Sequence, residues 1–210
     1  MKKTLLILAI SFFTICVSAQ TAFGIKAGVN SASMSVDAED TFGDGWSKAI
    51  HPLITASFLT QIELSYRTNL TMELGLVQKG FKIKISEGGN DGEVSMTFNQ
   101  IQFSPGIAFN ASDEFSIGLG PYIGYAAKYK LKAKITIDGD NDTITDTDTA
   151  DFDDEEKLDY GVNVDLNYVS YNGLLLSAGY SLGLKDYNND SDSDVYTNSG
   201  IMISIGYLFN

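Results

Sequence analysis

Over 210 residues the chain has one cysteine, one histidine, one tryptophan and three prolines. A disulfide framework is excluded, and so is a two-histidine or thiolate metal centre. Nucleophilic catalysis is equally short of parts. A hydroxyl nucleophile would need His51 beside an acid and a serine such as Ser57 or Ser95, and no spacing brings them together. Gly118, Gly120 and Gly124 miss the spacing of a dinucleotide-binding turn. Basic residues are few, 14 against 27 acidic, which argues against nucleic acid as a partner. After residue 19 no stretch is apolar over the roughly 20 residues that a spanning helix requires. The chain reads as no enzyme and as no helical membrane protein.

What is present is period-two alternation. From 115 to 137 every odd position is apolar, from Phe115, Ile117 and Leu119 to Ile135 and Ile137. The even positions are small or polar and then basic, with Tyr122 the one large residue among them. This is a strand with one apolar and one polar face. Its glycine-rich polar face cannot form a sandwich core, so lipid is the simplest solvent for the apolar face. A mean hydropathy of −0.01 is what such alternation produces in a membrane barrel. Residues 1–19 read as an export signal: Met1-Lys2-Lys3, an apolar core from Leu5 to Val17, and the small-residue site Val17-Ser18-Ala19. Cys16 would leave with it, and the domain would run from 20 to 210. Two of the 14 basic residues lie in that leader, so the remainder carries 12 against 27 acids, a formal −15.

Eight strands follow, near 22–33, 50–64, 70–85, 93–110, 115–137, 157–170, 174–184 and a last one ending 201–209. The third and fourth change apolar parity, the third at Lys79-Gly80, where a slip at a glycine reads as a β-bulge, and the fourth between Phe98 and Ile101. The turn Tyr171-Asn172-Gly173 is of the Asn-Gly hairpin kind. Long connections follow strands 1, 3, 5 and 7, and short ones follow strands 2, 4 and 6. That is the pattern of an all-β, eight-stranded antiparallel up-and-down transmembrane barrel with long loops outside and both termini in the periplasm. Aromatics near the short turns (Phe58, Tyr66, Phe103, Phe109, Phe115, Tyr168, Tyr171, Tyr207 and Phe209) are expected to form the inner girdle.

Charge supplies the candidate sites. Lys26, Glu63, Glu73, Asp159, Asp165 and Lys185 share the polar parity of their strands and can pair inside a bore that eight strands leave just wide enough for side chains. Lys82, Lys84, Lys128, Lys130, Lys132 and Lys134 are expected to form a basic inner wall near the mouth. The segment 138–156 is the reverse, a loop with ten acids and no base. Within it Asp138, Asp140 and Asp142 have the spacing of a calcium loop's first ligands, repeated by Asp190, Asp192 and Asp194. Thr143 and Thr149 stand where an EF-hand has glycine and glutamate, so only weak, loop-ordering Ca²⁺ or Mg²⁺ binding remains open.

Phe23-Gly24-Ile25-Lys26-Ala27-Gly28-Val29-Asn30 resembles the opening strand of the PorT-like outer-membrane β-barrel family, small eight-stranded barrels of the OmpA/OmpX kind. So do Glu73-Leu74-Gly75-Leu76-Val77-Gln78-Lys79-Gly80, Gly120-Pro121-Tyr122-Ile123-Gly124 and Ser204-Ile205-Gly206-Tyr207-Leu208-Phe209. The resemblance spans nearly all of the chain after the leader. It implies an outer-membrane barrel without a resident cofactor, inserted by the barrel-assembly machinery; some such barrels are tied to protein secretion. Three functions stay open: a structural or surface-interaction barrel meeting an extracellular protein or ligand, a small porin-like pore, and a soluble barrel with its apolar face inward.

Overall fold

The computed structural model describes residues 21–34, 46–87, 90–136, 143–153, 157–186 and 197–209. The export signal, the two aspartate triplets and most of the long connection before the last strand lie outside them. The described residues form eleven strands: β1 (Thr21–Met34), β2 (Trp46–Lys48), β3 (His51–Ser65), β4 (Thr68–Glu87), β5 (Asn90–Asn110), β6 (Phe115–Tyr125), β7 (Lys128–Thr136), β8 (Thr143–Asp151), β9 (Leu158–Val169), β10 (Leu174–Gly183) and β11 (Asn198–Phe209).

Eight of them close a ring. Taken in the order β1, β3, β4, β5, β6, β9, β10, β11, each strand is antiparallel to the next of the eight, and β11 returns to β1, where Phe23 meets Phe209 and Met34 meets Asn198. Closure leaves the ring no sheet edge, so backbone polar groups are paired along its circumference, the condition for crossing hydrocarbon. Short turns join β3 to β4, β5 to β6 and β9 to β10. Gly173, at φ +86°, takes the left-handed position in the last of these, and the following Leu174 N–H donates to Ser170 Oγ at 3.1 Å.

The pleat sorts side chains as an inverted protein does. Leu176, Ile203, Leu119, Ile54 and Leu74 face out and are exposed, whereas Ser177, Ser204, Gln102 and Asn163 face in and are buried. The apolar set therefore points away from the bore, and the bore is no apolar ligand pocket. The exposed band runs from Phe109, Tyr207 and Phe209 near the short turns up to Leu76, Ile101 and Tyr125. Among the girdle aromatics, the tilted rings of Phe115 and Tyr168 lie 4.9 Å apart and those of Tyr207 and Phe209 5.2 Å apart.

Beyond the band the ring opens into a second sheet, β2-β4-β5-β7-β8. Here the sequence reading needs correction at four places. The pairing of β4 with β5 is unbroken from Thr68↔Phe109 to Glu87↔Asn90, so the bulge expected at Lys79-Gly80 does not exist; the apolar residues of both strands change face while the ladder stays in step. Gly80 keeps φ +144° within that regular ladder, and a Cβ on it would stand 1.9 Å from the Met96 carbonyl oxygen. Much of the expected connection after the third strand is accordingly strand, with Ile85↔Gly92, Ser86↔Asp91 and Glu87↔Asn90 paired. The fifth expected strand is two: Tyr125 pairs with Ile101 but Tyr129 with Phe98, an extra residue at Ala126-Ala127 that makes this the real bulge. Finally, 143–151 is no loop. Its Thr-Ile-Thr-Asp-Thr-Asp-Thr alternation pairs as β8 along β7, from Lys128↔Asp151 to Thr136↔Thr143. β-Branched residues at every second place suit a pleated ribbon even when the residues between are acids.

Candidate functional site

Two regions bring chemistry together: the bore of the ring and the sheet above it. At the short-turn end the bore opens through a vestibule lined by Gln61, Glu63, Asn69, Asn110, Asp113 and Glu114. Farther in, Lys26, Glu73, Ser104, Asn163 and Asp165 line a cavity of about 80 Å³, and a second of about 20 Å³ has room for about one water. Lys26 Nζ lies 2.8 Å from Glu73, and Asp165 lines both cavities beside that pair.

Above them the bore is filled. Lys79 Nζ meets Asp159 Oδ2 at 2.8 Å, with only 5% and 1% of the two side chains exposed. The ammonium sits 3.9 Å from the centre of the Tyr122 ring, and the Tyr122 hydroxyl donates to Asp159 Oδ1 at 3.5 Å. Gln100 lies fully buried at the same level. Gly161 leaves the space for this arrangement, since a Cβ there would come within 2.6 Å of the Tyr122 ring. Of the charges expected inside, Lys26, Glu73, Asp159 and Asp165 line the bore, Lys185 is buried just past β10, and Glu63 is exposed at the vestibule. Lys79 was not among them. The assumed slip at Lys79-Gly80 hid it, although the inward series Glu73, Gly75, Val77 runs straight on to it.

The sheet above has two opposite faces, and they exchange character at the top of the band. On the face continuous with the lipid-facing side, the cross-strand pairs of β4 and β5 run Leu74/Phe103, Leu76/Ile101, Gln78/Asn99, Gly80/Thr97, Lys82/Ser95, Lys84/Glu93. Apolar gives way to amide, with Gln78 Nε2 donating to Asn99 Oδ1 at 2.9 Å, then to hydroxyl, then to charge. On the other face the order is Gly75/Gln102, Val77/Gln100, Lys79/Phe98, Phe81/Met96, Ile83/Val94, from polar to apolar. Lys130, Lys132 and Lys134 stand beside Thr97, Ser95 and Glu93. The six lysines expected to line an inner wall do share a face, but it is the outward one. Continuous pairing of β4 puts Lys82 and Lys84 there, and the bulge at Ala126-Ala127 turns the β7 lysines the same way.

The apolar face builds a small core over the mouth. Phe152, just past β8, packs edge-on against Phe98 at 5.4 Å and against Tyr129 at 4.8 Å, with Ala126 and Met96 around it. Its N–H donates to the Ala127 carbonyl at 3.0 Å. Lys82 bonds Glu93 at 2.8 Å; that hydrogen bond, with the charges of Lys82, Lys84 and Lys134, holds the Glu93 carboxyl below its usual range. His51 Nε2 lies 2.8 Å from Thr97 Oγ1, and burial together with the Lys82 ammonium holds His51 below the usual histidine range.

A family model described as "Outer membrane protein beta-barrel domain" matches residues 18–189. No match is found among curated proteins. Among solved structures the chain is similar to the attachment invasion locus protein Ail of Yersinia pestis, with 15% identity, TM-score 0.42, and 90% of this chain and 99% of that one covered. It is similar also to Neisserial surface protein A (10%, TM-score 0.37, 89% and 96%) and to the outer membrane protease OmpT of Escherichia coli (10%, TM-score 0.40, 91% and 93%).

Proposed function

The chain belongs to the outer membrane protein β-barrel domain family, and from that premise we propose that its ring is a closed anchor for an interaction sheet standing outside the cell. The observation that carries this is the contrast between the two regions. The bore is stopped by Lys79, Asp159, Tyr122 and Gln100, while five strands beyond the band present a basic face and an acidic outer edge. Binding residues are commonly displayed above a rigid scaffold in this way. The partner is an extracellular protein or ligand that meets this sheet, and the barrel-assembly machinery inserts the ring. Membership of the narrower PorT-like group is part of the proposal; its support is the four short motifs named above. We infer no enzymatic role: His51 Nε2 is engaged by Thr97 Oγ1 at 2.8 Å, the one contact of its ring nitrogens among the described residues.

The orientation is tested with Thr147→Cys in a chain whose Cys16 is replaced. A membrane-impermeant maleimide should label it on intact cells; labelling only after lysis would place the sheet on the wrong side. A second reading, a small pore, draws on the open vestibule and the cavity at Asp165. Planar-bilayer recording separates the two, the closed anchor predicting no unitary conductance and the pore steady single-channel steps.

A further inference from the structure

The outward face of the upper sheet carries more positive charge than its own acids neutralise. Lys82 pairs with Glu93 and Lys128 with Asp151, but Lys84, Lys130, Lys132 and Lys134 form no ion pair among the described residues. Acids are near. Asp146 and Asp148 of β8 stand opposite Ala133 and Leu131, one register step from those lysines. The pleat sends them to the other face, where each carboxylate accepts from the N–H of the following threonine, at 2.8 and 2.7 Å. Threonines 145, 147 and 149 face the lysines instead. Among the described residues the six lysines of this face therefore outnumber its acids Asp91, Glu93 and Asp151, and Lys130 and Lys132 form a hydroxyl-flanked patch with charge to spare for another molecule.

Position decides which molecule. This face continues the lipid-facing band without a break, and Lys130 is level with Thr97, four residues beyond Ile101. Four strand residues span about 13 Å, which at a barrel tilt of about 45° is a rise of about 9 Å. The headgroup layer is roughly 5–8 Å deep on each side of the hydrocarbon, and a lysine stem can lie along an apolar surface with its head in that layer. We propose that the lysine face of β4, β5 and β7 docks on phosphorylated headgroups of the leaflet surrounding the barrel, with Lys130 and Lys132 in closest contact and Lys84 and Lys134 farther out. The proposal rests on the closed-anchor reading only for which leaflet is meant, and the cysteine labelling tests that separately.

The experiment compares the folded protein in nanodiscs of phosphatidylcholine with discs containing equimolar phosphatidic acid. Acylation rates are read lysine by lysine by mass spectrometry. Lys48 is the internal reference, because it is exposed in the same sheet but pairs with Ile83 on the opposite face. In the anionic discs Lys130 and Lys132 should slow by about fivefold relative to Lys48, the ratio expected for a lysine held at an anionic surface. Lys134 should slow less, and molar salt should erase the difference. Equal rates in both discs, or the same slowing at Lys48, would overturn the proposal. As a second readout, spin-labelled phosphatidic acid should be held at the barrel in preference to spin-labelled phosphatidylcholine, and K130Q/K132Q/K134Q should lose that preference while still folding to its heat-modifiable form. A preference that survives the three substitutions would refute it as well.

Discussion

Lys79 and Asp159 are where single residues matter most. Each ion has left water for the bore, and each is tolerable there only because the other is present. Asp159→Asn would strand the ammonium against Tyr122 and should lower stability by about 3–5 kcal/mol, read by urea unfolding in detergent micelles. The double replacement Lys79→Met with Asp159→Leu should recover most of the loss. A silent single mutant would mean that the bore is wet at this level. His51 offers a pH test. Its pKa is depressed on folding, so its contribution to the top of β3 is complete above the unfolded value of about 6.5 and declines as pH falls below it. Titration followed by imidazole NMR should show a midpoint below 6.5, and Lys82→Met should move it upward; no movement would mean that the lysine does not act on the ring.

Among the elements, β8 is the outer edge of the upper sheet, paired with β7. Phe152, just past it, anchors its end in the small core, and Phe152→Ala should release β8 while leaving the ring intact. Hydrogen exchange should show lost protection at 143–151 and unchanged protection in β9 and β10; loss in both would make the small core part of the barrel wall. The ring strands were legible in the sequence to within a few residues, because an alternation with lipid on one side and a small bore on the other leaves little freedom of parity. What lay beyond the band was not legible, for a physical reason. Once a strand leaves hydrocarbon its outward face must become polar, so Phe81, Ile83, Met96 and Phe98 turn inward without any slip, and a change of solvent mimics a bulge. The true bulge at Ala126-Ala127 is silent, since two alanines fit either face. β8 was hidden by its acids, which mask the period of its threonines, and the lysines were grouped correctly but assigned to the wrong side for these same two reasons.

The whole molecule is a barrel in lipid continued by a sheet in headgroups and water, both built on the same strands. Substitution along one face should expose the join. Leu119→Arg, in the lipid band, should impair insertion by about 2–4 kcal/mol if it lies near the midplane. Thr97→Arg, on the same outward side but above the band, should insert normally in a micelle-to-bilayer folding assay. Equal impairment at both would mean that the band extends past Ile101. The most direct test is a nitroxide scan of β5 from Ser95 to Ile107 in bilayers, with Cys16 replaced, reading collisions with oxygen and with a water-soluble nickel chelate. Odd positions from Ile107 to Ile101 should be open to oxygen and closed to nickel, Thr97 and Ser95 should reverse that order, and Gln100 and Gln102 should be closed to both. Nickel reaching Gln100 would contradict the closed bore, and oxygen-dominated collisions at Ser95 would contradict the change of face on which the account depends.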